Sequence, residues 1–179
     1  ERTSTMNKYA FIAVAVTLFG GLTAQSNEDN IPYDRQINIY WTDVAPELDG
    51  RMTESCWQDA EVATGFRRFS NKTEEAHPQT DVRVCYDADY LYFLYVCHDD
   101  NIDELRVGAP EDTRDVIDVQ KDVIELFVDP GRTRNAYYQF CTTPLGARFD
   151  LRITPDKERQ VGLYNPAWDV AAHIAEKHW

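Results

Sequence analysis

The sequence predicts an all-β chain folded as an antiparallel β-sandwich of jelly-roll type. Three observations lead there. Several runs of strand-forming residues are only five to eight positions long. They are separated by turn chemistry: Asp87-Ala88-Asp89, Asp129-Pro130-Gly131 and Thr143-Pro144-Leu145-Gly146. Apolar residues recurring at helical spacing are almost absent, and regularly spaced short strands with Pro, Gly and Asp turns are the mark of sandwiches.

The elements are expected in this order. Residues 37–41 (INIYW) are read as a first strand, with Trp41 and later Trp57 assigned to the core. Leu48-Asp49-Gly50 is a turn, and Thr53 is placed to cap a short helical turn carrying Cys56, Trp57 and Ala60. Residues 66–69 are weakly extended and 70–80 form a polar loop holding the sequon Asn71-Lys72-Thr73. Val82, Val84 and Tyr86 then alternate with Arg83 and Cys85. Residues 90–97 (YLYFLYVC) are apolar on both faces, as in a strand covered on both sides. A long acidic loop over 98–121 leads to strands at 122–128, 136–142 and 147–153, and residues 170–175 begin another. The chain then stops at His178 and Trp179, so the sandwich is expected to be incomplete at its C-terminus, leaving an open apolar edge.

The first segment is set apart. Residues 6–26 (MNKYAFIAVAVTLFGGLTAQS) combine a short basic start, an apolar run and a small-residue cleavage point, the layout of a secretory signal peptide. The run is short for a transmembrane helix. Residues 1–5 precede Met6 and are read as upstream sequence. The expected organisation is therefore 1–24 as upstream residues plus signal peptide, 25–36 as a flexible lead-in, and 37–179 as the sandwich. The protein is expected to be secreted, or periplasmic, with no membrane contact after cleavage.

Charge narrows the partners. With 18 basic and 31 acidic side chains the net charge is -13, and no basic cluster interrupts it. Phosphate backbones and anionic lipid are repelled by such a surface, which excludes nucleic acid as a partner. Export would let disulfides persist among Cys56, Cys85, Cys97 and Cys141. Four cysteines allow three full pairings, and burial as four small apolar residues is equally open. If Tyr86 and Tyr90 face each other across their turn, Cys85 lies opposite Leu91, which makes a Cys85–Cys97 bridge improbable.

The order of motifs resembles the family 9 carbohydrate-binding modules and the wider family-9-like domains of the DOMON-like superfamily. The pieces are Leu48-Asp49-Gly50 with Glu54 and Trp57; Tyr86-Asp87-Ala88-Asp89-Tyr90-Leu91-Tyr92; Cys97-His98-Asp99; and 122–130 (DVIELFVDP). Tyr137-Tyr138-Gln139-Phe140 with Pro144-Leu145-Gly146, and then Trp168-Asp169, complete the set. The resemblance implies a non-catalytic sugar-binding sandwich, attached to a secreted glycan-degrading enzyme and often holding structural calcium. It also implies a sugar-binding role for Glu125. In the family's best-known site two Trp rings clamp the sugar. Here Val119 stands at the first Trp position, Cys141 at the place of an Arg of that site, and the second Trp would fall beyond residue 179.

Sugar chemistry asks for flat rings against C–H faces and a few side chains that hydrogen-bond hydroxyls. Strand parity puts Ile124, Leu126 and Val128 on one face and Glu125 and Phe127 on the other. Glu125 is then a charge on an otherwise apolar strand, facing solvent in a hollow. The alternative is an edge charge, or a pair with Arg148 or Lys121. Gln139 shares a face with Tyr137 and Cys141 and is either a reader of hydroxyls or a solvated strand residue. Trp168 is an aromatic candidate for stacking, with burial in the core as its alternative. The candidate ligand-binding set is Glu125, Gln139, Tyr137 and Trp168.

Calcium takes six to eight oxygens. Asp99 and Asp100 are the first choice for it, against a merely solvated acidic loop that lacks a D-x-D-x-D-G pattern. Abundant carboxylates make a glycosidase pair uninformative, no GxSxG, HExxH or phosphate loop is present, and no catalytic residue is assigned. Two other readings remain at this point. One is haem held by Met52, His98 or His173 in the manner of DOMON-type domains; the other is an adhesion or spacer sandwich without ligand.

Overall fold

The structure, a computed structural model, describes Ala10–Ala13 and residues 36–179 apart from 69, 112, 117 and 119. The remainder of the signal-peptide segment and nearly all of the lead-in lie outside the described residues. The architecture is all-β and sandwich-like, as expected. Its strands are β1 (Ala10–Ala13), β2 (Tyr40–Trp41), β3 (Arg67–Arg68), β4 (Asn71–Glu75), β5 (Thr80–Tyr86), β6 (Leu91–Cys97), β7 (Ile124–Val128), β8 (Tyr137–Thr142), β9 (Arg148–Ile153) and β10 (Arg159–Val161). Among the described residues one short helix, α1 (Ser55–Asp59), precedes β3, and a 3-10 turn, Ile102–Glu104, interrupts the acidic loop.

Five strands form one sheet in the order β1-β7-β8-β9-β10; β2-β5-β6 form a second, and β3-β4 a two-stranded ribbon. From β7 to β10 the chain runs as an antiparallel meander. Two edge pairs are parallel: β1 on β7 and β2 on β5. Turn residues explain the meander. The carboxylate of Asp129 accepts the backbone N–H of Arg134 across the first turn, and Gly146 takes a positive φ of 79° in the second, where a residue without Cβ is favoured.

The apolar residues gather in separate clusters. On the five-stranded sheet, Cys141, Phe149, Leu151 and Ile153 pack with Tyr137. On the smaller sheet, Val82 and Val84 pack with Ile37, Ile39, Ala63, Phe66, Phe93 and Tyr95. Cys56 and Trp57 of α1 close over Cys85, Tyr92 and Leu94.

The Leu48-Asp49-Gly50 turn has a physical reason for its glycine. Gly50 has φ of 74°, and a Cβ there would stand 2.7 Å from the backbone nitrogen of His173. The 170–175 segment is thereby packed on the turn, and it forms no strand, contrary to expectation. The final residues instead pair their backbone with β6: the Trp179 N–H donates to the Cys97 carbonyl and the Cys97 N–H to Trp179.

Other expectations need correction. Only two residues of 37–41 pair as strand, and Trp41 is 53% exposed where core burial was expected. Its indole edge meets Tyr86 at 5.6 Å and its N–H donates to Asp43, so a surface carboxylate satisfies it without burial. Trp57, in contrast, is buried as expected. Glu54, not Thr53, occupies the N-cap position of α1 without a side-chain capping bond, and the Thr53 hydroxyl donates to the Glu54 carboxylate. Part of the polar 70–80 loop is strand β4, paired with β3. The β5–β6 hairpin sets Tyr86 opposite Leu91, Cys85 opposite Tyr92 and Cys97 opposite Thr80. The expected register was one residue off, yet its conclusion stands: Cys85 and Cys97 sit at opposite ends of the hairpin.

Candidate functional site

Strand parity resolves the candidate residues onto two faces of the five-stranded sheet. In an antiparallel pair, residues directly opposite each other share a face. Glu125 is opposite Cys141, which is opposite Phe149; Phe127 is opposite Gln139, which is opposite Leu151. Glu125, Gln139 and Tyr137 therefore share one face, the register joining what alternation groups only within each strand. The Gln139 amide Nε2 donates to Glu125 Oε2 at 2.9 Å and approaches Cys141 Sγ at 3.5 Å. Tyr137 meets Phe127 edge-on at 5.8 Å.

Glu125 is not turned to solvent: it is 6% exposed. It stands on the face that carries the buried cluster of Cys141, Phe149, Leu151 and Ile153. β8 runs along one side and β1 along the other, with Phe11 in register with Glu125. Burial pushes the Glu125 carboxyl above its ordinary range, while the Gln139 hydrogen bond and the charge of Arg159 pull it back only in part. Neither of the anticipated ion-pair partners is in place. Arg148 lies on the opposite face and pairs with Asp169 at 3.1 Å, and Lys121 makes no ion pair with Glu125 among the described residues. Oε1 of Glu125 and Oε1 of Gln139 accept no hydrogen bond among the described residues. The pair thus offers two acceptors side by side.

Trp168 belongs to the other face. Its ring meets Phe140 at 5.4 Å and its Nε1–H donates to Asp150 Oδ2 at 2.9 Å. Phe140 is opposite Asp150 and Leu126, the face away from Glu125. The structure therefore separates Trp168 from the other three candidates.

What holds Trp168 is an ion-pair clamp that the sequence reading missed. Asp150 is fully buried, and its Oδ2 accepts both the indole and Arg114 Nη2 at 2.8 Å. Arg114 also donates to the Pro166 carbonyl and to Asn165 Oδ1, and Arg148 donates to the Trp168 carbonyl. Two signals in the sequence mark the clamp: an Asp between Phe149 and Leu151, and an Arg set among the acids Glu111, Asp112 and Asp115 of the 98–121 loop.

The proposed calcium pair does not converge. Asp99 Oδ1 accepts the N–H of Asn101, whereas Asp100 faces His77 at 3.3 Å on the surface. Among the described residues no group of three or more His, Cys, Asp or Glu is placed to hold a metal. Of the haem candidates, His98 gives its Nε2 to Asp81 at 3.0 Å. A hollow of about 350 Å³ lies beside the Pro144-Leu145 turn, lined by Glu111 and 171–174, and includes none of the candidate sugar-binding residues. No described helix is long and apolar enough to cross a membrane.

Residues 48–172, well over half of the chain, match the carbohydrate family 9 binding domain-like family. The chain belongs to that family. No curated protein and no solved structure matches it. Within this family 9-like domain the match begins at the glycine turn that 170–175 packs upon and ends beyond the Asp150 clamp. It therefore spans both faces of the meander. The domain is a carbohydrate-binding-module-like sandwich.

Proposed function

We propose that this domain binds a neutral saccharide through Glu125 and Gln139, without catalysing its cleavage. The observation that carries the reading is the Glu125–Gln139 hydrogen bond within a family 9-like sandwich. Both amide protons of Gln139 point at acceptors already, one at Glu125 and one at Cys141. What the pair leaves unused is two oxygen acceptors, which match two hydroxyl donors on one sugar ring. Phe127 and Tyr137 beside them supply apolar surface for the C–H face. A neutral ring suits a site whose carboxylate is already costly to charge.

The wider setting belongs to the same proposal. The signal-like composition of 6–26 supports export, and a binding sandwich of this kind would hold a polysaccharide close to an attached glycan-degrading domain. A structural calcium ion on the Asp99–Asp100 segment would be an accessory to folding, not to binding.

The test is titration of the purified chain with a panel of neutral oligosaccharides, followed by Glu125→Ala and Gln139→Ala with circular dichroism as a fold control. Loss of a hydrogen bond to a charged acceptor should weaken binding by about 10- to 100-fold. Unchanged affinity in both folded variants would overturn the site. A second reading rests on Trp41, whose indole is exposed and held in orientation by Asp43 and Tyr86. Loss of binding in Trp41→Ala alone would transfer the site to the smaller sheet.

A further inference from the structure

We propose that Cys56 and Cys85 form a disulfide that fastens α1 to the central strand of the smaller sheet, leaving Cys97 and Cys141 as free thiols. The two residues belong to one buried cluster with Trp57, Tyr92 and Leu94. Both are free thiols in the structure, both are buried, and α1 packs them into the same cluster against β5. They are drawn together by the fold itself: Cys56 sits in the first turn of α1, next to the buried Trp57, and Cys85 faces it from β5. The other two have different company. Cys97 ends β6 at the edge bonded to Trp179, and Cys141 lies on β8 beside Gln139. Of the three full pairings the sequence leaves open, only the one containing Cys56–Cys85 has two cysteines in one buried cluster, and Cys97 and Cys141 are in neither that cluster nor a common one.

The chemistry balances as thiol–disulfide exchange. A small or protein-borne disulfide is attacked by one cysteine thiolate, releasing one carrier thiol; the second cysteine attacks the mixed disulfide and releases the other. The protein pair loses two protons and two electrons, and the carrier disulfide is reduced to two thiols. Burial pushes the Cys85 thiol up to about 12 and the Cys56 contact adds to it, so the folded, reduced chain holds almost no Cys85 thiolate at neutral pH. Oxidation therefore belongs to the folding chain, before α1 closes over β5. In the cell this rests on the export reading, because the bond needs an oxidising compartment; in vitro it does not.

The experiment is refolding of the reduced full chain from urea in a buffer of reduced and oxidised glutathione. Remaining thiols are then alkylated and the peptides mapped by mass spectrometry. The expected result is a Cys56–Cys85 cross-linked peptide with Cys97 and Cys141 both alkylated. The closed loop is about 30 residues, so reduction should lower Tm by roughly 10 °C. The Cys97→Ala, Cys141→Ala double variant should form the same cross-link and show the same fall. Alkylation of Cys56 and Cys85 in the refolded chain, or a bridge that includes Cys97 or Cys141, overturns the proposal. Formation of the bond without any saccharide binding would leave it standing while the proposed function fell.

Discussion

The two faces of the five-stranded sheet each bury a carboxylate, and the partners of the two differ. Asp150 receives a guanidinium and an indole N–H on a single oxygen. Glu125 receives one neutral amide, and Arg159 only pulls on it as a nearby charge. A buried carboxylate with a cation in contact is anchored, and removing it leaves that cation without its partner. A buried carboxylate with only a neutral amide has no such anchor, although Asp150 too leaves its Oδ1 buried without a hydrogen bond among the described residues. The comparison separates a group that holds the chain from a group that can hold a ligand.

The sharpest way to break this contrast is Asp150→Ala. It strips Arg114 and Trp168 of their shared acceptor, and Arg114 keeps some access to water, so the expected loss is about 3 kcal/mol in urea unfolding. Saccharide affinity of the fraction that remains folded should not change. A variant with wild-type stability would show that the clamp contributes nothing.

Trp168→Phe is milder. The ring against Phe140 survives while the N–H bond to Asp150 is lost, and a loss of about 1 kcal/mol is expected by the same unfolding measurement. Its affinity for saccharide should match wild type. A tenfold fall would return Trp168 to the ligand site despite its place on the opposite face.

The smallest effect is expected from Glu125→Gln, read as Tm against pH. A carboxyl raised in the folded state keeps its proton to higher pH than it does in the unfolded chain. Its contribution to stability is therefore complete in acid, below the unfolded pKa, and is lost as pH rises through the folded value. The variant lacks that loss. Its Tm should gain on wild type as pH climbs from 4 to 7, and a gap that stays flat or reverses would mean that Glu125 is not strained by burial.

How far the sequence already spoke can be seen residue by residue. The β5–β6 hairpin and the β7–β9 meander were legible because apolar alternation and Asp, Pro and Gly turns coincide there. Gln139 was grouped with Tyr137 along β8 and Glu125 with Phe127 along β7, since parity along a strand is a local property; that the two faces coincide came only from the pairing register. The burial of Glu125 was not legible, because parity names a face without saying what lies beside it. Strand β4 was hidden for a different reason. Asn71–Glu75 reads NKTEE, and such a ribbon is held by backbone pairing with no apolar stripe to announce it. Trp168 sits in an irregular stretch with no period at all, so only the long-range partners Arg114 and Asp150 reveal its place.

Those partners are far apart along the chain: Arg114 lies 36 positions from Asp150 and 52 from Pro166. Contacts of such separation close large loops, and that entropy is lost before any bond rewards it. The clamp therefore assembles late, after the β8–β9 hairpin has given Asp150 a fixed direction. Interactions made after the rate-limiting step slow the way out of the native state more than they speed the way in. The Arg114–Asp150–Trp168 junction thus acts as a latch on the lifetime of the folded domain.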